Sequence, residues 1–185
     1  MKRKFFLLFS LVFLFASVSA HAQWTDRLTL YLPNRVMDLL DTFTLNIGGG
    51  PTAHAELYCT QACKAGGGIA YIFMLMKDHN RQYGWAAQNG FAWYLPGLTQ
   101  EDIERKPTSY FVQEFWHNHT GFPNLHDAIY EQRKGARDYW EIGGSLGAAI
   151  LDVTVSIHPV ELADAVLGFF FLDICHDDMT FETFK

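Results

Sequence analysis

In the first third of the chain, apolar and polar side chains alternate with a period of two, which is the period of a β-strand. Phe43, Leu45 and Ile47 mark one face of a first run, and a second alternating run covers residues 52–58. A Gly/Pro segment at residues 48–51 separates the two runs. Two alternating runs around such a break predict a β-hairpin.

Further strands and two helices are predicted elsewhere in the chain. We expect strands at residues 69–76, 84–94 (with a break at Asn89-Gly90) and 169–174, and a long strand or a tight hairpin at residues 139–157. Short amphipathic helices are expected at residues 35–43 and 159–168. The apolar stripe of the first helix is expected to pack on the sheet, and the alternative is that it lies flat on a membrane. Both helices carry carboxylates on their polar sides.

Regular patterns fade between residues 96 and 137, and about 40 residues without a clear element is long for a connection. We predict an insertion at about 96–137, partly helical around residues 125–133, and expect any binding surface there first. The sequence therefore predicts one α+β domain over residues 23–185. It would contain an antiparallel sheet of about five or six glycine-rich strands, two short amphipathic helices and this long, partly helical insertion.

The N-terminus has the three parts of a secretory signal peptide. Residues 2–4 are basic, a short apolar run follows to Ala16, and residues 20–22 have the form A-x-A. This predicts a signal peptide at residues 1–22 that is cleaved after Ala22, with an uncleaved anchor as the alternative. We therefore expect the protein in the periplasm or outer membrane of a Gram-negative bacterium.

Charge and composition restrict the partners. The chain has 14 Lys and Arg against 20 Asp and Glu, and cleavage of the leader would remove three of the basic residues. An acidic surface repels phosphate backbones, so we expect no nucleic-acid partner. Aromatic residues make up 16% of the chain, which favours a folded domain that presents apolar surface to a lipid surface or an envelope protein. A small-molecule ligand is not predictable from this sequence.

The three cysteines are Cys59, Cys63 and Cys175. An exported chain meets oxidising conditions, so a disulfide between Cys59 and Cys63 is possible if the chain turns between them. Unbridged, buried thiols are the alternative.

Histidines are the candidates for metal binding or acid–base chemistry. His117 and His119 share a face if they lie on a strand, and His126 follows shortly after. Their spacing matches no strong zinc signature, so solvated loop histidines are the competing interpretation. We therefore predict no cofactor, no metal site and no catalytic residue, and keep a metal-dependent enzyme on these three histidines as an alternative.

A recognisable block lies near the C-terminus: residues 159–168 have the form P-x-E-h-h-D-h-h-h-G, and an apolar stretch and the pair Asp177-Asp178 follow. This block is similar to the ending of a group of small exported bacterial envelope proteins of unassigned function. Residues 35–51 resemble an early stretch of the same group. The resemblance covers about a quarter of the chain and implies residence in the envelope, without implying an activity.

These observations lead to one principal hypothesis and two alternatives. The principal hypothesis is a non-enzymatic exported envelope protein that is periplasmic or associated with the inner face of the outer membrane. The first alternative is a small outer-membrane β-barrel protein, which requires at least eight strands of about ten alternating residues. The second is the metal-dependent enzyme.

Overall fold

The computed structural model describes residues 28–131, 134–170, 175 and 179. The predicted signal peptide and most of the predicted strand at residues 169–174 lie outside these residues. The described elements are helix α1 (Tyr31–Asp41), strands β1 (Phe43–Thr60), β2 (Cys63–Asp78), β3 (Gln82–Leu95), β4 (Leu98–Pro107), β5 (Phe115–Gly121), a 3-10 turn (Ala128–Tyr130), strand β6 (Ile142–Ile157) and helix α2 (Pro159–Gly168).

All six strands belong to one antiparallel sheet with the order β5-β4-β3-β2-β1-β6. Five strands follow one another as a meander, and β6 returns to pair with β1 along almost its whole length, from Phe43 with Ile157 to Tyr58 with Gly143. Among the described residues, β5 and β6 form the two edges of the sheet. The α+β class, the antiparallel sheet and the two helices are thereby confirmed.

The predicted hairpin within residues 43–58 is wrong, because β1 is one continuous strand of 18 residues. Its Gly/Pro segment forms an irregularity between Gly49 and Thr52 in the pairing with β6. Gly50 has a φ of 145°, and a Cβ there would collide with the carbonyl oxygen of Tyr71 on β2. Glycine and proline thus mark a bulge and a close strand approach here. The turn to β2 comes later, at Gln61 and Ala62.

The long, partly helical insertion is not confirmed. Residues 98–107 and 115–121 form β4 and β5 of the same sheet, and the only helical geometry described between residues 122 and 141 is the 3-10 turn Ala128–Tyr130. Strand β4 lacks the expected apolar alternation because its buried side chains include Thr99, Glu101 and Arg105. A strand with two polar faces carries no hydrophobic period.

The hydrophobic core formed by the described residues is small. One cluster of buried apolar residues lies between β2, β3 and the β4–β5 connection: Ile72, Met74, Met76, Ala86 and Val112. The other buried side chains of the sheet are mostly polar or charged, and most large apolar side chains are exposed. This distribution reverses that of a water-soluble domain, in which charged side chains are almost never fully buried unless paired.

Candidate functional site

The outer face of the sheet is apolar across four adjacent strands. Members of this face, which we call the apolar outer face, come from β6 (Ile142, Leu146, Leu151, Val155, Ile157), β1 (Phe43, Leu45, Ile47, Leu57), β2 (Ile69, Tyr71, Phe73, Leu75) and β3 (Trp85, Phe91, Trp93, Leu95), and all are exposed. Leu57, for example, is 74% exposed. Monomeric soluble proteins rarely expose a contiguous apolar patch above a few hundred Å2, so a surface of this width indicates a binding surface.

The apolar outer face stops abruptly at β4. Phe91 of β3 pairs with Asp102, and Trp93 pairs with Gln100. On the same side, the Trp116 indole of β5 donates a hydrogen bond to Asp102 Oδ1 at 2.8 Å. On this face, the polar rows of β4 and β5 therefore lie at one side of the four strands with apolar rows.

Both helices also expose apolar side chains and bury charged ones. In α1, Val36 and Leu39 are exposed whereas Asp38 and Asp41 are buried, and Arg35 pairs with Asp38 at 2.7 Å. The prediction that the apolar stripe of this helix packs on the sheet is therefore wrong. The buried carboxylates instead hold the helix to its neighbours, since Asp41 Oδ1 accepts a hydrogen bond from the backbone of the β2–β3 turn.

Helix α2 repeats the pattern. Glu161 and Asp164 are buried, while Leu162 and Val166 are exposed. Both helices lie at one end of the sheet, because α1 leads into β1 and α2 follows the neighbouring strand β6. The helices thus add further exposed apolar side chains at that end of the sheet.

The inner face of the sheet lines a cavity of about 100 Å3, whose wall carries many polar and charged side chains beside the apolar core of β2. Arg137, from the β5–β6 connection, donates to both carboxylate oxygens of Glu101 at 3.1 and 3.0 Å, and to Gln61 at 3.2 Å. Burial raises the pKa of Glu101, but the Arg137 charge and a hydrogen bond from His117 outweigh it and hold the pKa far below its usual range. Glu101 is therefore a buried carboxylate anion in a fully paired setting.

A second polar cluster lies near the helices. His158 contacts Asp138 through Nδ1 at 2.8 Å and Thr44 through Nε2 at 2.7 Å, and the Thr44 hydroxyl donates to Asp78 at 2.7 Å. His79 contacts the same Asp78 oxygen at 3.0 Å. Ligand atoms of Asp78, His79 and His158 lie within 4.8 Å of one another, as in a metal site. Because these atoms already bond to protein partners, the cluster is better described as a structural network.

A third cluster joins β1 to β6. Ser145 Oγ lies 3.0 Å from His54 Nε2, and His54 Nδ1 lies 3.3 Å from Asp152 Oδ2. Thr52 Oγ1 lies 3.0 Å from His54 Nδ1 and donates to Asp152 at 3.0 Å. If Nδ1 carries the ring proton, Nε2 is free to accept the Ser145 proton. This order of contacts is that of a Ser–His–Asp triad.

Sequence reasoning missed Ser145, although Gly143–Gly147 has the spacing G-x-S-x-G. In hydrolases with that motif the serine stands on a sharp turn between a strand and a helix. Here Ser145 lies within β6 and pairs with Glu56 of β1. The motif was therefore readable in the sequence, but its usual backbone context is missing.

The structure brings together two of the three histidines named from the sequence. The rings of His117 and His119 stack with centroids 5.5 Å apart. The third member of the cluster is Asp127, whose Oδ2 lies 3.5 Å from His117 Nε2. His126 is exposed and does not belong to the cluster.

Cys59 and Cys63 flank the β1–β2 turn as exposed, free thiols, and Cys175 is a buried thiol. The Cys59 thiol lies 3.7 Å from the carbonyl oxygen of Cys63, and the two thiols are in hydrogen-bonding contact. The chain turns between them as a bridge would require, and the disulfide itself stays a prediction.

Within the described part of the chain, no helix is long and apolar enough to cross a membrane. No protein-family model matches the sequence, and neither a curated protein nor a solved structure is significantly similar to it.

Proposed function

We propose that this protein is an exported outer-membrane protein whose apolar outer face contacts lipid acyl chains while its polar inner face surrounds a hydrated interior. The observation that carries the proposal is the exposed apolar row shared by β6, β1, β2 and β3. It lies opposite an inner face that is mostly polar on β6 and β1 and carries the small apolar core on β2 and β3. Membrane-embedded β-strands alternate in this sense, with apolar side chains toward lipid and polar side chains toward the interior.

The dimensions of the apolar outer face support lipid as its occupant. Along β3 the outer row runs from Trp85 to Leu95. At 3.3 Å per residue this row is about 33 Å long, or about 23 Å across a membrane for a strand tilted by 45°. The apolar band of outer-membrane strands is about 25 Å tall and is bordered by aromatic side chains. Trp85 and Trp93 lie near opposite ends of the row, as such borders require.

The helix end of the sheet resembles a membrane boundary. Lys77 interrupts the outer row of β2, and its ammonium group donates to the carbonyl oxygens of Leu40 and Phe43. Lysine side chains at the ends of membrane segments direct their charge toward the interface in this way. The exposed apolar residues of α1 and α2 would then lie along the interface.

Tryptophan fluorescence provides the test. The purified mature protein is reconstituted into phospholipid vesicles whose acyl chains carry bromine, a short-range quencher. We expect strong quenching in the wild type and much weaker quenching in a W85F/W93F double variant, because those two rings would border the acyl chains. The matched control is W116F, whose indole lies on the polar outer side of β5.

Two results would count against the proposal. One is wild-type fluorescence that bromine does not quench. The other is an equal loss of quenching in W116F and in the double variant. Cell fractionation adds an independent measurement, since recovery of all the protein in the cytoplasm would exclude an envelope role.

A second candidate function is the hydrolysis of acyl esters, which the Ser145–His54–Asp152 contacts favour. Ser145 Oγ would attack the ester carbonyl carbon as its proton moves to His54 Nε2. His54 would then protonate the departing alkoxide, and water would hydrolyse the acyl-serine. The three side chains line the polar cavity, where a substrate acyl group would have to enter.

Labelling with a fluorophosphonate probe tests this second candidate directly. An activated serine forms a covalent adduct, so we expect labelling of the wild type and its loss in S145A. The control is S156A, which removes another serine hydroxyl from the same face of β6. Absence of labelling in the folded wild type would eliminate the hydrolase.

A further inference from the structure

We propose that His117, His119 and Asp127 bind one divalent metal ion of the Zn2+ class, a site independent of the membrane proposal. One ligand atom from each residue lies within 4.8 Å of the others. Two ligands that are each 2.1 Å from a tetrahedral metal are about 3.4 Å apart. His117 Nε2 and Asp127 Oδ2 are separated by 3.5 Å, which is this distance.

The partner of His117 prepares it for metal binding. Its Nδ1 lies 2.7 Å from Glu101 Oε1, so the carboxylate accepts the Nδ1 proton and Nε2 keeps its lone pair. Zinc-bound histidines almost always donate their second nitrogen to a carboxylate or carbonyl group, which fixes the ring and its tautomer. Arg137 holds Glu101 in turn through two hydrogen bonds. The ring is therefore oriented before any ion arrives.

His119 has the same arrangement with a different acceptor. Its Nε2 lies 3.2 Å from the carbonyl oxygen of Phe122, which accepts the ring proton and leaves Nδ1 as the ligand nitrogen. Both histidines thus meet the outer-shell requirement of a metal site. This distinguishes them from the His79–His158 cluster, in which protein groups occupy the ligand atoms.

Three protein ligands leave one position of a tetrahedral ion open. Two imidazoles and a carboxylate suit Zn2+, and an open fourth position is typical of sites that bind water or a substrate. The Asp127 side chain is 39% exposed, so solvent reaches this side of the cluster. The site lies at the sheet end opposite the helices, where β4 begins and Glu101 pairs with His119.

Calorimetric titration of the purified full-length mature protein with ZnSO4 in detergent tests the site, and Co2+ absorption reports its geometry. We expect one ion per chain and an intense tetrahedral Co2+ spectrum. H119A and D127N should weaken binding by at least about tenfold, since each removes a ligand. E101Q should weaken it by about 10- to 100-fold through His117.

The matched control is H126A, which removes an exposed histidine next to Asp127 that does not belong to the site. We expect it to bind Zn2+ as the wild type does. Absence of stoichiometric binding to the wild type would overturn the proposal. So would equal losses in H126A and H119A, because His126 would then be a ligand. Far-ultraviolet circular dichroism shows whether E101Q, which lies in the buried network, still folds.

Discussion

Arg137 shows how much of the inner face depends on single side chains. It comes from the β5–β6 connection and reaches Glu101 of β4 and Gln61 of the β1–β2 turn. Burial lowers the pKa of Arg137, but the charge of Glu101 outweighs it and the pKa lies well above its usual value. Removing one partner of such a buried pair leaves an uncompensated charge, so these residues set the stability of the interior.

His79 should make stability depend on pH. Burial lowers its pKa, but a hydrogen bond to Asp78 and the charges of Asp78 and Asp138 outweigh this, and the pKa rises to about 9. An unfolded histidine has a pKa of about 6.5. The stabilisation is therefore complete below about pH 6.5 and is lost as pH rises through about 9, by roughly 1–3 kcal/mol. Urea unfolding between pH 6 and pH 10 measures it.

H79N should remove most of this decline, because asparagine does not titrate. H126N is the matched control, since it replaces an exposed histidine in the same chain. An unchanged slope in H79N would show that another group causes the pH dependence.

Cys59 and Cys63 should form a disulfide in the exported protein, because the β1–β2 turn brings their thiols into contact. Maleimide labelling of the denatured, unreduced protein should then modify Cys175 alone. After reduction, all three cysteines should react. Full labelling before reduction would show that the two thiols stay free.

The side chains of the candidate metal site could be predicted from the sequence only in part. The pairing of His117 with His119 follows from a strand period of two, and the structure brings them together. Asp127 and Glu101 were not predictable as their partners, because they come from the β5–β6 connection and from an unrecognised strand. Contacts between distant parts of the chain depend on a sheet order that composition and spacing do not encode.

Among the elements, the strands with an apolar row were predicted and the strands without one were not. Parts of β1, β2, β3 and β6 follow from alternation or apolar runs, whereas the polar faces of β4 and β5 hide their period. The second helix was located correctly, whereas the first was predicted at 35–43 and spans Tyr31–Asp41. The side of the first helix that faces the sheet was predicted wrongly. An amphipathic pattern shows that one side of a helix is apolar, but it does not show whether that side faces the protein interior.

The β1–β6 pair should be sensitive to added volume at Gly147. A Cβ there would lie 2.6 Å from His54 Nδ1 and 2.7 Å from Asp152 Oδ2, and would also collide with Thr52. We expect G147A to destabilise the protein by about 1–3 kcal/mol through overpacking. The free energy of unfolding in detergent micelles measures this.

Gly49→Ala is the matched control on the neighbouring strand. A Cβ at Gly49 has Ile150 O as its nearest neighbour, at 3.9 Å, which is an ordinary contact. Equal destabilisation by both substitutions would show that strand glycines matter through backbone freedom rather than through packing.

At the scale of the whole described molecule, the sheet and both helices share one tendency: most buried charged side chains lie inside, and most large apolar side chains lie outside. Periodicity alone is symmetric in this respect, since an alternating strand reads the same whichever face is buried. The sequence could therefore predict the antiparallel sheet but not its polarity. The one sequence feature that pointed to the inverted polarity was the pair of carboxylates on each helix, which are buried in the structure.

The pairing of β1 with β6 predicts a specific cross-link. Ile47 lies opposite Val153, so an I47C/V153C variant should form a disulfide during export. Closing a loop of about 100 residues stabilises a protein by about 4–5 kcal/mol in the chain-entropy model. Non-reducing gels and urea unfolding provide the measurements.

The control for this cross-link is I47C/V155C, which offsets the second cysteine by two positions. Diagonal neighbours across a strand pair are about 7–8 Å apart, which exceeds the reach of a disulfide. Preferential oxidation of the offset pair would show that the register differs by two residues.

The return of β6 to β1 also governs when the sheet can be completed. During translocation β1 would emerge early, whereas its partner β6 is synthesised about a hundred residues later, and pairings across such separations form slowly. Until then one edge of β1 has unpaired backbone N–H and C=O groups beside an exposed apolar surface, and this combination promotes aggregation. On the proposed export route, the partly translocated chain would therefore need a periplasmic chaperone to shield it until β6 arrives.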